Sequence, residues 1–289
     1  MGKMIYNFPI MWPTLISVGP LAIQSFGFLM FLGLFFGGFV WWKKGKEEGF
    51  EEELLMDHWL ISGVVALILG RSWYVLSHWQ EFAGSVYKIL FLTKFPGLSY
   101  EGVLIGAVMS LLILGKNKDW NLWPMLEVGV FSFLVVELFG MLGAFLGGSG
   151  LGKITSWWWG IGFPGVEGRR HPVQILHFLL VFLVWQLFKK WEKEYRRFKW
   201  YQHGKDEAKP GFLAAMYLVS IGLIRLGVGW LKDYNNIWFN VGLIVMGILI
   251  LMERSGIKIG LVKRRSTTVK EKSKERALKK RKKQGFDFK

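Results

Sequence analysis

The chain contains no cysteine. Disulfides, thiolate metal sites, iron–sulfur clusters and a cysteine nucleophile are therefore excluded, and thiols give no signal of redox compartment. Acidic residues are also scarce: 21 Asp and Glu stand against 37 Lys and Arg, a formal net charge of +16. That imbalance is local. Residues 253–289 carry 15 Lys/Arg and 4 Asp/Glu, which leaves the preceding chain at only +5. The charge therefore describes a basic tail on a nearly balanced body, rather than a nucleic-acid surface spread over the molecule. No metal-ligand spacing and no repeat of fixed period is present, and neither a metal nor another cofactor is expected. Apolar character is what abounds: of 289 residues, 52% are hydrophobic and 17% aromatic, with 16 Trp. An ordinary soluble domain is not built this way.

Seven apolar runs are long enough to cross a bilayer as helices, over about 20–42, 54–77, 98–115, 122–148, 172–188, 211–231 and 237–252. The fold class expected is an all-α membrane protein, with a transmembrane domain over 1–252 and a disordered basic tail over 253–289. The first run has the length of a signal peptide but lacks a basic n-region and a small-residue cleavage site, so it is expected to stay as a span. With seven spans the termini lie on opposite sides. One set of loops, tail included, holds 28 Lys/Arg and the other holds 7. Without the tail the ratio is 13 to 7. This bias places the N-terminus outside and the C-terminus in the cytoplasm. Trp41, Trp42, Trp59, Trp120, Trp123, Trp185, Trp191, Trp230 and Trp238 fall near span ends, where an amphipathic ring favours the interface. Trp157-Trp158-Trp159 is either part of that belt or a loop dipping into the outer leaflet.

Ionisable groups at membrane depth are costly and mark function by default. Arg71, Glu101, Glu127, Glu137, His171, His177 and Arg225 lie in or near the spans. Arg71 can snorkel to the surface, whereas Arg225, read as mid-span, needs a buried partner or a bound anion. Gly140, Gly143 and Gly147 share one helical face. They serve either close helix packing or backbone opening toward a lipid headgroup. Arginines with a few carboxylates and histidines point to an anionic headgroup site. The paired broken helices of a transporter and the filter motif of a channel are not seen.

The order of motifs resembles the phosphatidylglycerol–prolipoprotein diacylglyceryl transferase family. Ile16-Ser17-Val18-Gly19-Pro20-Leu21-Ala22-Ile23 is similar to the family's approach to its first span. Further matches are Gly70-Arg71-Ser72-Trp73-Tyr74-Val75-Leu76, Ser99-Tyr100-Glu101-Gly102-Val103-Leu104-Ile105-Gly106, Arg170-His171-Pro172-Val173-Gln174 and Gly222-Leu223-Ile224-Arg225. Residues 140–152 occupy the place of the family signature and keep Gly140, Gly143, Phe145 and Gly152. There, Met141 stands for the family's arginine, Ala144 and Gly147 for its asparagines, and Ser149 for its glutamate. Glu101 replaces a histidine, Phe26 a tyrosine and Gly229 a glutamate.

The resemblance implies seven spans in a bacterial plasma membrane. It also implies transfer of diacylglyceryl from phosphatidylglycerol to the lipobox cysteine of a prolipoprotein, with glycerol phosphate released. A silent relative that binds lipid or precursor peptide is the alternative. The thiol must lose a proton and the leaving phosphate must be stabilised. Glu101 and His171 are the candidate bases, and Arg225 the catalytic arginine. Arg71, Arg170 and Gln174, with Gly140 and Gly143, are the substrate-binding candidates. Glu127 and Glu137 join them as arginine partners; ten residues apart on one helix, their faces differ by about 80°. The tail is expected to meet anionic lipid or another polyanion.

Overall fold

The computed structural model describes residues 12–256, apart from 19–20, 93, 196–197, 199–200 and 202–207. All but four residues of the expected tail lie outside this range. The described residues begin with a hairpin, β1 (Thr14–Val18) against β2 (Leu21–Gln24), and are helical after it apart from a short strand pair, β3 (Ile161–Gly162) with β4 (Arg169–Arg170), in the connection between the sixth and seventh helices. The helices are α1 (Ser25–Glu47), α2 (Glu52–Ser77), the short α3 (Trp79–Phe82) and α4 (Val86–Leu90), α5 (Tyr100–Asn117), α6 (Leu122–Leu146), α7 (Val173–Glu194), α8 (Phe212–Gly229) and α9 (Ile237–Ser255). Seven of these are long and apolar enough to cross a membrane. The shortest have 18 residues; at 1.5 Å per residue that is about 27 Å, close to the hydrocarbon thickness.

The first boundary differs from expectation. The helix begins at Ser25, not at 20, because the preceding apolar residues pair as strands, with Ile16 opposite Ile23. Apolar content alone cannot separate a hairpin from the start of a span. The last helix overruns 252 and carries Arg254 into its final turn, where Nε donates to the Pro210 carbonyl at 2.7 Å.

Helix α6 sits at the centre, packed against α1, α7, α8 and α5. Its Phe131, Leu134 and Val130 join Val181, Phe188, Tyr217, Ile221 and Leu243 in the main core. Close helix contacts depend on glycine. A Cβ on Gly102 would stand 2.4 Å from the Leu69 carbonyl oxygen, so α2 and α5 meet backbone to backbone. A Cβ on Gly143 would stand 3.2 Å from the Phe26 Cα, and one on Gly140 would meet the end of Met30, which gives the α6 glycine stripe a packing role against α1. Phe31, Phe35 and Phe39 on α1 and Leu60, Val64 and Leu67 on α2 are exposed, an apolar outer surface suited to lipid.

Not every Trp belongs to the interface. Trp41 is fully buried and donates to the Leu55 carbonyl at 2.7 Å, which makes it a core residue; Trp230 and Trp238 are exposed.

Candidate functional site

One end of the bundle gathers the start of α1, the end of α2, the start of α5, the end of α6, the start of α7, the end of α8 and the start of α9. Cross-contacts tie these ends together. The Ser99 amide donates to the Gly70 carbonyl at 3.0 Å, and the Lys153 amide to the Leu231 carbonyl at 2.7 Å. Gln174 Nε2 donates to the Ser149 carbonyl at 2.7 Å.

Arg225 is the hub of this end. It lies four residues from the end of α8, in the last turns rather than mid-span. Nη2 donates to Glu101 Oε1 at 3.2 Å, and Nε donates to Asn240 Oδ1 at 3.1 Å. The guanidinium carbon lies 3.8 Å from the centroid of the Tyr100 ring, a cation–π contact that fixes the fork's plane. Among the described residues, these partners engage two of its five N–H groups. Glu101 sits in the first turn of α5, at the edge of the span, and its Oε2 accepts from the Ser99 hydroxyl. Asn240 in turn donates to Asn235 Oδ1 at 3.0 Å. Lys232 follows α8 directly. Burial, and then the Arg225 charge, push its ammonium below the usual lysine range.

The line continues inward from Tyr100. Its hydroxyl is 3.3 Å from that of Tyr217, which donates to Glu137 Oε2 at 3.5 Å. Glu137 Oε1 is 2.9 Å from His177 Nε2, with both side chains almost wholly buried. Glu137 therefore pairs with histidine and tyrosine, where an arginine was expected. Glu127, ten residues earlier, is about 15 Å further along the same helix. Its Oε1 accepts from the Gly211 and Leu213 amides at 2.7 and 3.0 Å, and Oε2 from the Tyr195 hydroxyl at 3.0 Å. It caps the start of α8 at the other end of the bundle.

Arg71 does not snorkel. It is buried, and its three nitrogens donate to the carbonyls of Ile89, Gly97 and Lys88 at 2.9, 2.9 and 2.7 Å. It clamps the α3–α5 connection onto α2. Arg170 joins the Gly152 carbonyl at 3.1 Å and lies 3.9 Å from Asp233, bridging the α6–α7 and α8–α9 loops. His171 Nδ1 accepts from Trp159 Nε1 at 2.8 Å, so the neutral ring carries its hydrogen on Nε2. Trp158 beside it is exposed.

The signature stretch closes α6. The Ser149 amide bonds to the Ala144 carbonyl at 2.9 Å and the Gly148 amide to the Phe145 carbonyl at 3.2 Å, with Gly148 at φ 67°. This is a Schellman end, which needs a residue free to take positive φ. Among the described residues, two buried polar atoms nearby have no hydrogen-bond partner, Arg170 Nε and Gln174 Oε1. The Gln174 amide cannot be turned to help, since its nitrogen is fixed by the Ser149 carbonyl.

Sequence reasoning named Arg225, Glu101, Glu137 and His177 but missed the neutral groups that link them: Tyr100, Tyr217, Asn240 and Ser99. The rule that flags charge at membrane depth extends to Asn240, an amide inside an apolar span.

A family model described as prolipoprotein diacylglyceryl transferase matches residues 13–257. A phosphatidylglycerol–prolipoprotein diacylglyceryl transferase from Mannheimia succiniciproducens is 25% identical over 282 residues, covering 93% of this chain and 100% of that protein. The Nostoc sp. protein of the same name is 27% identical over 256 residues, 86% and 87% of the two chains. The match to the Shouchella clausii protein of that name is 26% over 131 residues, 45% of this chain and 47% of the other, so there the chain spans about half of its relative.

Proposed function

The chain belongs to the prolipoprotein diacylglyceryl transferase family, and from that premise we propose how its own residues serve the reaction. It is a multi-pass membrane transferase. It moves the diacylglyceryl group of phosphatidylglycerol to the lipobox cysteine of a prolipoprotein. The Lys/Arg bias of 28 to 7 supports a bacterial plasma-membrane orientation with the Arg225 end outside, where secreted precursors present the cysteine. The basic tail then lies in the cytoplasm, near anionic headgroups or other polyanions.

The observation that carries this reading is Arg225, held at one end of the bundle by Glu101, Asn240 and the Tyr100 ring. A preorganised fork of N–H donors is what a departing phosphate requires, because charge develops there as the glyceryl C–O bond breaks. Glu101 is the anchor of Arg225: one of its oxygens faces the guanidinium and the other accepts from Ser99. Arg170 Nε and Gln174 Oε1, a buried donor and a buried acceptor, suit a headgroup bearing both phosphate oxygens and hydroxyls. His171, with its hydrogen on Nε2, is a donor to the same anion. Arg71, Gly140 and Gly143 act at one remove, through the frame they hold together.

The test is release of glycerol phosphate from phosphatidylglycerol vesicles carrying the purified protein. Release is expected only when a lipobox peptide with its cysteine is added. Peptide-independent release, or none with it, contradicts the reading.

A further inference from the structure

Both base candidates from the sequence already hold neighbours. His171 Nδ1 already accepts from Trp159, and both Glu101 oxygens are engaged. The thiol proton must still leave. Four groups on four helices run from Arg225 into the core without a break: Tyr100 on α5, Tyr217 on α8, Glu137 on α6 and His177 on α7. Resting on the function above, we propose that these residues form a relay that accepts the thiol proton and returns it to the departing phosphate.

The hydrogen-bond directions support it. A tyrosine hydroxyl has one hydrogen. That of Tyr217 goes to Glu137, so the Tyr217 oxygen accepts from Tyr100. The Tyr100 oxygen is then left with lone pairs, on the side chain whose ring stacks on Arg225. At the far end stands the Glu137–His177 pair, with side-chain exposures of 2 and 3%. An ionisable pair at that depth is weak as a stability device, since apolar residues of similar volume often do as well. Its place at the end of a hydrogen-bonded line gives it another use.

In the forward shift the S–H bond breaks and its proton goes to Tyr100 Oη. The Tyr100 hydrogen passes to Tyr217 Oη and the Tyr217 hydrogen to Glu137 Oε2, where the neighbouring His177 stabilises it. The thiolate pair forms the new S–C bond, and the glyceryl C–O pair leaves with glycerol phosphate. The reverse shift delivers the stored proton to that phosphate and resets the line. No further co-reactant is needed.

Tyr217→Phe tests this, because it removes one oxygen and keeps the ring. The full chain is placed in phosphatidylglycerol vesicles and turned over with a lipobox peptide in H2O and D2O mixtures. The expected result is a kcat lowered about 100-fold, with KM for lipid and peptide changed less than about twofold. The curved proton inventory of the parent should become linear. His177→Gln, which keeps a hydrogen bond to Glu137 but cannot titrate, should lower kcat about tenfold. It carries the test if Tyr217→Phe does not fold. An active parent whose variants keep kcat and the inventory, or change KM alone, overturns the relay and leaves the function standing. A parent that transfers nothing overturns the function and the relay with it.

Discussion

A guanidinium keeps its charge at any physiological pH, so its surroundings decide what Arg225 can do. Here Glu101 and Asn240 hold two edges of the fork and the Tyr100 ring covers its face. Arg225→Lys preserves the charge but cannot satisfy both partners and still present paired donors. Phosphatidylglycerol binding, measured by titration into purified protein, should weaken about tenfold, the equivalent of one charge-assisted hydrogen bond. Lys232 offers a second reading by pH. Its folded pKa lies below its value of 10.5 in the open chain, so carrying the charge costs stability. That cost is full below the folded pKa and disappears as pH rises from there through the ordinary lysine range. Lys232→Met should therefore raise the thermal midpoint at pH 7, with the difference closing at alkaline pH. Scanning calorimetry across pH checks it. At this scale the sequence was informative where residues were charged: Arg225, Glu101, Glu137 and His177 stand out in apolar runs. It said little about Tyr100 and Tyr217, whose rings read as ordinary core. It also could not assign Arg71, whose partners are backbone carbonyls with no signature of their own.

Several close helix contacts in this chain are made at glycine. The α2–α5 contact at Gly102 sets the first turn of α5, and with it Ser99, Tyr100 and Glu101. Gly102→Ala would drive a methyl into the Leu69 carbonyl and should cost about 1–3 kcal/mol. Gly63→Ala on α2, which meets nothing within 4 Å, should be neutral or slightly stabilising. Thermal unfolding of the two variants separates local contact from a general intolerance of alanine. Span positions were legible because each long helix is a run of apolar side chains. The hairpin before α1 was not, since TLISV and LAIQ are as apolar as a span and too short to show a period. The closed end of α6 was half legible: its glycines marked a special backbone, but whether they packed or opened depended on α1, whose Phe26 backbone they meet.

Seven alternating helices bring Arg225, Glu101, Arg71 and Arg170 to one end of the bundle, with the Glu127 cap at the other and the Glu137–His177 pair between them. The site was readable as a set of candidates, but its grouping required the fold: Glu101 and Arg225 are 124 residues apart in the chain. The Lys/Arg bias predicts which side it is. A reporter active only outside the cytoplasm, fused after residue 260, should be silent, and the same reporter inserted in the α6–α7 loop should be active. The reverse pattern would place the site facing the cytoplasm and separate it from secreted precursors. The central claim is that the Arg225 end transfers diacylglyceryl to a cysteine thiol. It is tested most directly by mass spectrometry of a lipobox peptide incubated with phosphatidylglycerol vesicles and the purified chain. The account predicts a diacylglyceryl mass on the cysteine with the parent and almost none with Arg225→Ala. An unmodified peptide with the parent, or equal modification by Arg225→Ala, would contradict it.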